Sequence, residues 1–170
     1  TFVSTIAAGD WPVWDPYVGF GQPMLANANA QVLYPLTWLN LIMRPGTYYA
    51  LYFIVHIFLA ASGTAALARR LGVSPSGALL AGAFWTASGP FLSLGNLWNH
   101  LAAAAWMPWA LLGAEHAVAG SRRGAVGGAF AIAAMVFAGS PDFVIFTGAL
   151  LVARLLGRPD RHRVSAAKRG

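Results

Sequence analysis

The chain lacks cysteine and is short of charge. Lys, Arg, Asp and Glu together make up 9% of its 170 residues, and only five side chains are acidic. Without Cys no disulfide scaffold can form, although that absence says little about redox compartment. An average soluble domain carries about 25% charged residues. A soluble fold of this size must cover its surface with polar groups, and so few charges cannot do it. Disorder is excluded from the other side, because 58% of the residues are hydrophobic. A membrane protein remains. The chain also opens without a Met and without a basic start before an apolar core. No signal peptide is visible, and the first residues read as the middle of a longer polypeptide.

What is present is basic and apolar in blocks. The formal net charge is +6, which can signal nucleic-acid binding. Here the Lys and Arg residues stand in short clusters between long apolar runs, so they read as topology signals and no nucleic-acid partner is expected. Residues 1–32 are polar, aromatic and punctuated by Pro12, Pro16 and Pro23, which break any long helix. Trp11, Trp14, Tyr17 and Phe20 are too dense for a flexible linker and suit a structured loop at a membrane surface. Residues 33–43 are apolar but shorter than the roughly 20 residues a crossing needs, which fits an interfacial or re-entrant helix. Five spans follow: Thr47 to Ala68, Gly77 to Gly95, Leu101 to Ala119, Gly124 to Ser140, and a short fifth from Pro141 to Gly157 in which Arg154 must snorkel. The pairs Ala78/Gly82 and Gly124/Gly128 have the spacing that lets helices approach closely, read here as packing within one bundle rather than as a dimer seam.

The expected architecture is therefore all-α: a polytopic transmembrane helix bundle with an extracytoplasmic loop carrying short interfacial helices. Residues 1–46 form the loop and re-entrant segment, 47–157 the bundle, and 158–170 a basic cytoplasmic segment. Orientation follows from the positive-inside rule. With residues 1–46 outside, ten of the eleven basic residues fall inside, and Arg44 is the exception. Asp10, Asp15, Asp142, Asn96, Asn99 and His100 then gather outside.

A water-exposed loop rich in carboxylates, amides and aromatic rings, set on a helix bundle, suits carbohydrate binding. Rings stack on sugar C–H faces, and Asp, Asn, Gln and His bond hydroxyls. Asp10 and Asp15 lie five residues apart around WPVW and could face one cavity if the loop turns at Pro12, as a general-base or acid/base pair. Helix capping is the plainer use of such Asp residues. Asp142, after Ser140-Pro141, likewise reads as a first-turn charge or as part of the site. His100 sits at the outer mouth of the third span, placed to bond a phosphate or a sugar hydroxyl. No second His or Cys stands at ligand spacing, so metal ligation lacks support, and no cofactor is legible. His56 lies in mid-span and needs a partner; a neutral ring bonded to a neighbouring helix is expected. Glu115 and His116 read as structural. Gly19-Phe20-Gly21 does not continue as a dinucleotide fingerprint, and no Walker loop or serine elbow occurs.

The run PVWDPYVGFGQPMLANANAQVLYP, Pro12 to Pro35, resembles a segment of the YfhO family of bacterial membrane proteins, with P-x-W-N-P-Y, then G-x-P, A-N, Q and Y-P in order. The matches are Pro12, Trp14, Pro16, Tyr17, Gly21, Pro23, Ala26, Asn27, Gln31, Tyr34 and Pro35. His56, ARRLG at 68–72, FWTASG at 84–89, His100 with WMPW at 106–109, and AGSPD at 138–142 extend the likeness over nearly the whole chain. That family looks like polytopic glycosyltransferases of the GT-C type. The resemblance implies sugar transfer from a polyprenyl-phosphate carrier to a cell-envelope glycan or polymer acceptor. The reaction would run at the outer face of the bacterial plasma membrane, with an extracytoplasmic carboxylate as base. The resemblance covers Gln31, Tyr34 and His100 best as substrate-binding residues; Asp142 as a further substrate-binding residue, and Asp10 and Asp15 as competitors for the base role, rest on location and chemistry. The family usually has Asn where Asp15 stands. The essential Asp of this enzyme type belongs to the first outer loop, so the region upstream of Thr1 in a longer parent is a further place to seek it. The competing reading is a non-enzymatic membrane subunit for export or assembly of cell-surface polymers. A transporter fits less well, because the polar groups lie at the outer edge and only His56 is deep.

The topology is tested by cysteine accessibility. Ala30→Cys is expected to react with an impermeant thiol reagent from outside the cell, and Ser165→Cys only after permeabilisation. The reverse pattern would overturn the orientation and the site with it.

Overall fold

Prolines and serines set most of the helix starts. In the computed structural model, which describes residues 2–157, α2 (Pro45–Arg70), α3 (Pro75–Ala87) and α7 (Pro141–Leu156) each begin on a proline. A first-turn proline surrenders an N–H that would be unpaired there anyway. Ser74 caps α3 and Ser121 caps α6 (Arg122–Phe137), each side-chain oxygen accepting from the backbone N–H three residues on. Between these stand α4 (Gly89–Ser93) and α5 (Trp98–Val118). Ahead of them the chain forms α1 (Phe2–Ala7), then an antiparallel pair of two-residue strands, β1 (Trp14–Asp15) and β2 (Gln22–Pro23). Two 3-10 helices follow, Ala28–Ala30 and Pro35–Leu41. The fold is all-α; the strand pair merely pins a hairpin, with the Trp14 ring lying against Gly21, where no Cβ would fit.

The long helices alternate in direction. Arg70, Glu115 and Arg154, at the ends of α2, α5 and α7, meet at one end of the bundle. Asn99, Gly139, His100 and Asp142 meet at the other, where the N-terminal loop also docks. We call these the basic end and the loop end. The central helix is α5, which packs on α2, α6 and α7, while α3 lies against α2. Ala102, Ala103, Ala104 and Ala105 are four consecutive residues with no exposed surface; a helix buried on successive positions is enclosed all round.

The packing uses small residues inside and large ones outside. Gly82 of α3 faces the Ala61 carbonyl of α2, and Gly113 of α5 lies against the Gly128 backbone of α6. The outward positions carry Ile54, Phe58, Leu79, Phe84, Val126, Phe130, Ile145 and Phe146, all exposed. The four-residue spacings read from the sequence thus serve contacts inside the bundle.

Among the described residues, α2 is the one helix long and apolar enough by itself to cross a membrane. The expected second span is broken: α3 and the stretch Gly89–Asn96 meet at a 42° bend. Ser88 ends one helix and caps the next through the Phe91 N–H, and Pro90 has no N–H to continue the ladder. Helices α6 and α7 have 16 residues each, or about 24 Å at 1.5 Å per residue. Over 33–43, where an interfacial or re-entrant helix is expected, the chain forms the 3-10 helix Pro35–Leu41. The third helix starts at Trp98 rather than Leu101, so Asn99 and His100 stand in its first turn. The fourth ends at Phe137, leaving Ala138–Ser140 as a turn. The expected basic segment 158–170 lies outside the described residues.

Two substitutions should move stability in opposite directions. Gly113→Val drives a branched side chain into the Gly128 backbone and is expected to cost about 1–3 kcal/mol. Gly127→Ala, in helix α6 with nothing within 4 Å of the added methyl, should gain up to about 1 kcal/mol. Thermal unfolding in detergent, followed by circular dichroism, measures both.

Candidate functional site

Three stretches far apart in sequence meet at the loop end. The first is 27–34. The Asn27 side chain accepts from the Asn29 N–H at 3.0 Å and so caps the short 3-10 helix. Gln31 ends that helix at φ 49°, a left-handed conformation. The side chain of Gln31 is buried: Nε2 donates to the Ala138 carbonyl at 2.7 Å, and Oε1 accepts from the Tyr52 hydroxyl at 3.1 Å. The second stretch is the α6–α7 turn. Gly139, at φ +81°, is pressed against the Ala28 carbonyl, and any Cβ there would overlap it. The third is the first turn of α5, which supplies Asn99 and His100.

These stretches are joined by polar contacts. Asn99 Nδ2 donates to Asn29 Oδ1 and to the Gly139 carbonyl, both at 3.0 Å. That fixes the orientation of its amide and turns Oδ1 toward His100 Nδ1, 2.9 Å away. His100 Nε2 is 3.2 Å from Asp142 Oδ2, and the Ser140 hydroxyl donates to Asp142 Oδ1 at 2.6 Å. Both ring nitrogens of His100 face acceptor oxygens, an arrangement that suits the imidazolium, in which both nitrogens donate. The pair stays open to solvent, with His100 28% and Asp142 42% exposed at the side chain.

Beneath this cluster runs a buried chain of hydrogen bonds. Trp106 Nε1 donates to the Tyr34 hydroxyl at 2.9 Å, and that hydroxyl is 2.7 Å from His56 Nε2. Since the hydroxyl already accepts from the indole, its own proton goes to His56. Burial pushes the Tyr34 phenol up to about 12, against a small lowering by the Trp106 bond, so that proton is present at neutral pH. His56 then carries its hydrogen on Nδ1, donated to the Tyr52 carbonyl at 2.6 Å. The Tyr52 hydroxyl closes the chain on Gln31 and on the Trp98 carbonyl.

The predicted site residues therefore fall into three groups. His100 and Asp142 are in contact and accessible. Gln31 and Tyr34 lie one layer deeper, with their polar atoms bonded within the chain. Asp15 is buried and its Oδ1 accepts the Tyr17 N–H, closing a local turn; Asp10 is exposed, just after α1. No hydrogen bond or ion pair among the described residues joins either carboxylate to the His100–Asp142 pair. His56 differs from expectation in its partner, which comes from the loop rather than from a neighbouring helix.

Sequence reasoning missed Asn29, Asn99, Tyr52 and Trp106 as members of the site. A signal existed for Tyr52. Tyr48, Tyr52, His56 and Ala60 recur every four residues along α2 and are its buried stripe. At the basic end, Arg154, expected only to snorkel, is paired: its Nε meets Glu115 Oε1 at 2.8 Å. Among the described residues no group of three His, Cys, Asp or Glu is placed to hold a metal. No family model, curated protein or solved structure matches the chain.

Tyr34→Phe removes one hydroxyl and strands two partners, the Trp106 N–H and His56 Nε2. An unpaired buried polar group costs about 1–3 kcal/mol, so the loss should approach that of two such groups. Thermal unfolding in detergent checks this, and a change no larger than that of an exposed control, Tyr17→Phe, would show that the chain does not hold the loop.

Proposed function

We propose that this chain is part of a membrane glycosyltransferase that moves sugar from a polyprenyl-phosphate carrier to an extracytoplasmic acceptor. In this reading the bundle crosses the bacterial plasma membrane several times with the loop end outside, and the likeness to the YfhO family reflects descent. One observation supports it above the others. The Q, Y-P, His100 and AGSPD motifs, scattered over the chain, meet at the loop end, with His100 and Asp142 paired at the surface and Gln31 and Tyr34 bonded in the layer below. The large apolar side chains on the outer faces of the helices suit lipid contact, and their small-residue seams suit packing in a bilayer. The exposed rings of Trp11, Trp14, Tyr17 and Phe20 suit the headgroup layer and sugar faces.

The roles follow from exposure. His100, as imidazolium, is the phosphate-facing cation, held in place by Asn99 and Asp142. Gln31 and Tyr34 act from the layer below by fixing the loop that carries Asn29. Transfer needs a carboxylate within about 3 Å of the acceptor hydroxyl, directly or through one water. Asp10 is the better candidate of the two loop carboxylates, because Asp15 is committed to its turn. Asp142 orients His100 and meets the donor.

The experiment is sugar transfer from carrier-linked donors by the protein expressed from its intact reading frame. Asp10→Asn should lower turnover while leaving donor binding nearly unchanged, and His100→Gln should weaken donor binding. If Asp10→Asn and Asp15→Asn both keep full turnover, the base lies elsewhere. Failure to transfer sugar from every donor tested, by correctly inserted protein, would favour the subunit for polymer export or assembly.

A further inference from the structure

An apolar slot opens at the basic end, on the side of α5 left uncovered between α2 and α7. Its volume is about 190 Å³, and Leu67, Leu71, Leu111 and Leu151 line it with Glu115 and Arg154. The charged residues stand together. Arg154 Nε meets Glu115 Oε1 at 2.8 Å, and Arg70 Nη2 lies 3.4 Å from the Glu115 carbonyl. Two guanidiniums thus converge on one residue, Arg154 on the Glu115 carboxylate and Arg70 on its backbone carbonyl, so that among the described residues this hydrocarbon cavity is edged by two cations and one anion. Each of these bonds uses a single N–H of a guanidinium that has five, so both arginines keep donors for a further anion. Arg154 is about half exposed and Arg70 exposed, whereas Glu115 is mostly covered.

We infer that this slot binds an anionic glycerophospholipid of the surrounding bilayer, with an acyl chain along the leucines and the phosphate on Arg70 and Arg154. A neutral apolar occupant would satisfy the leucines but not the excess cation, and a free anion would satisfy the cation but not the leucines. A chain-bearing anion satisfies both, and basic pockets between membrane helices take acidic headgroups on general electrostatic grounds. Glu115 is the positioning residue: it holds Arg154 at the cavity instead of letting it extend into water. The inference rests on the bundle lying in a bilayer and is independent of sugar transfer, which occurs at the opposite end.

Native mass spectrometry of the detergent-purified chain, offered equimolar dioleoyl phosphatidylglycerol and dioleoyl phosphatidylcholine, reads the result directly. The acidic lipid is expected to be retained at least about fivefold over the neutral one, the factor that one basic residue near an anionic lipid supplies. Arg70→Gln and Arg154→Gln should each reduce that preference about fivefold, Arg154→Lys should keep most of it, and Arg122→Gln should leave it unchanged. Ala114→Leu, which narrows the slot, should lower retention of both lipids. Equal retention of the two lipids by the unaltered chain overturns the inference and needs no variant to fold. An equal effect of Arg122→Gln and Arg154→Gln would reduce the preference to general surface charge. A lipid-free dimer would show that a second copy covers the slot. Each of these outcomes leaves the glycosyltransferase reading untouched, since that is decided by transfer at the loop end.

Discussion

The Tyr34 hydroxyl is the group on which the loop end depends. It accepts from Trp106 of α5 and donates to His56 of α2, so one oxygen ties the N-terminal segment to both helices. Neither helix partner can be left alone cheaply, since a buried imidazole or indole N–H without a bond carries its full desolvation cost. Gln31 adds a second tie, to α2 through Tyr52 and to the α6–α7 turn through Ala138. With both ties made, Ala28 is forced against Gly139 and Asn29 is brought within reach of Asn99. The position of the surface cluster is thus a consequence of bonds made one layer down.

The bundle has its own constraint. Its seams are built from Ala and Gly, which bury little area per residue but let backbones approach closely. In water such a core would be poor, because large side chains supply most of the hydrophobic gain. Here the large side chains face out, where only a lipid or another apolar surface can cover them. Close backbone contact also makes the arrangement intolerant of added volume at Gly82, Gly113 and Gly139, all of which already touch backbone atoms.

How much of this was legible in the sequence depends on the kind of signal. Composition and hydropathy carried the helical class and the approximate bounds of α2, α5, α6 and α7, because long apolar runs between clustered arginines have few other uses. The break at Ser88 was harder to see: Gly89-Pro90 is a turn signal, but an uncharged run on both sides hid it. Location alone grouped Asp10, Asp15, His100 and Asp142 at one end, yet it could not separate a carboxylate that closes a turn, as Asp15 does, from one that faces a histidine, as Asp142 does. That difference is set by side-chain direction over contacts 42 residues apart in sequence, where periodicity is silent. Asn29 and Asn99 were invisible as a pair for the same reason, being 70 residues apart.

The two ends of the molecule solve opposite electrostatic problems. At the loop end the His100 ring meets the Asp142 carboxylate, and Asn99 and Ser140 add a bond to each, so the cluster is closed on itself. A ligand there must offer better partners than those already present, which favours a phosphate with several acceptor oxygens over a single hydroxyl. At the basic end Arg154 meets the Glu115 carboxylate and Arg70 its backbone carbonyl, so among the described residues of this contact cations outnumber anions. An unbalanced cation at the edge of apolar surface is stable only if water or an anion reaches it. On the proposed reading, a ligand at the loop end would have to displace an internal contact that reforms on release, whereas an anion at the basic end would use arginine N–H groups that the internal contacts leave over.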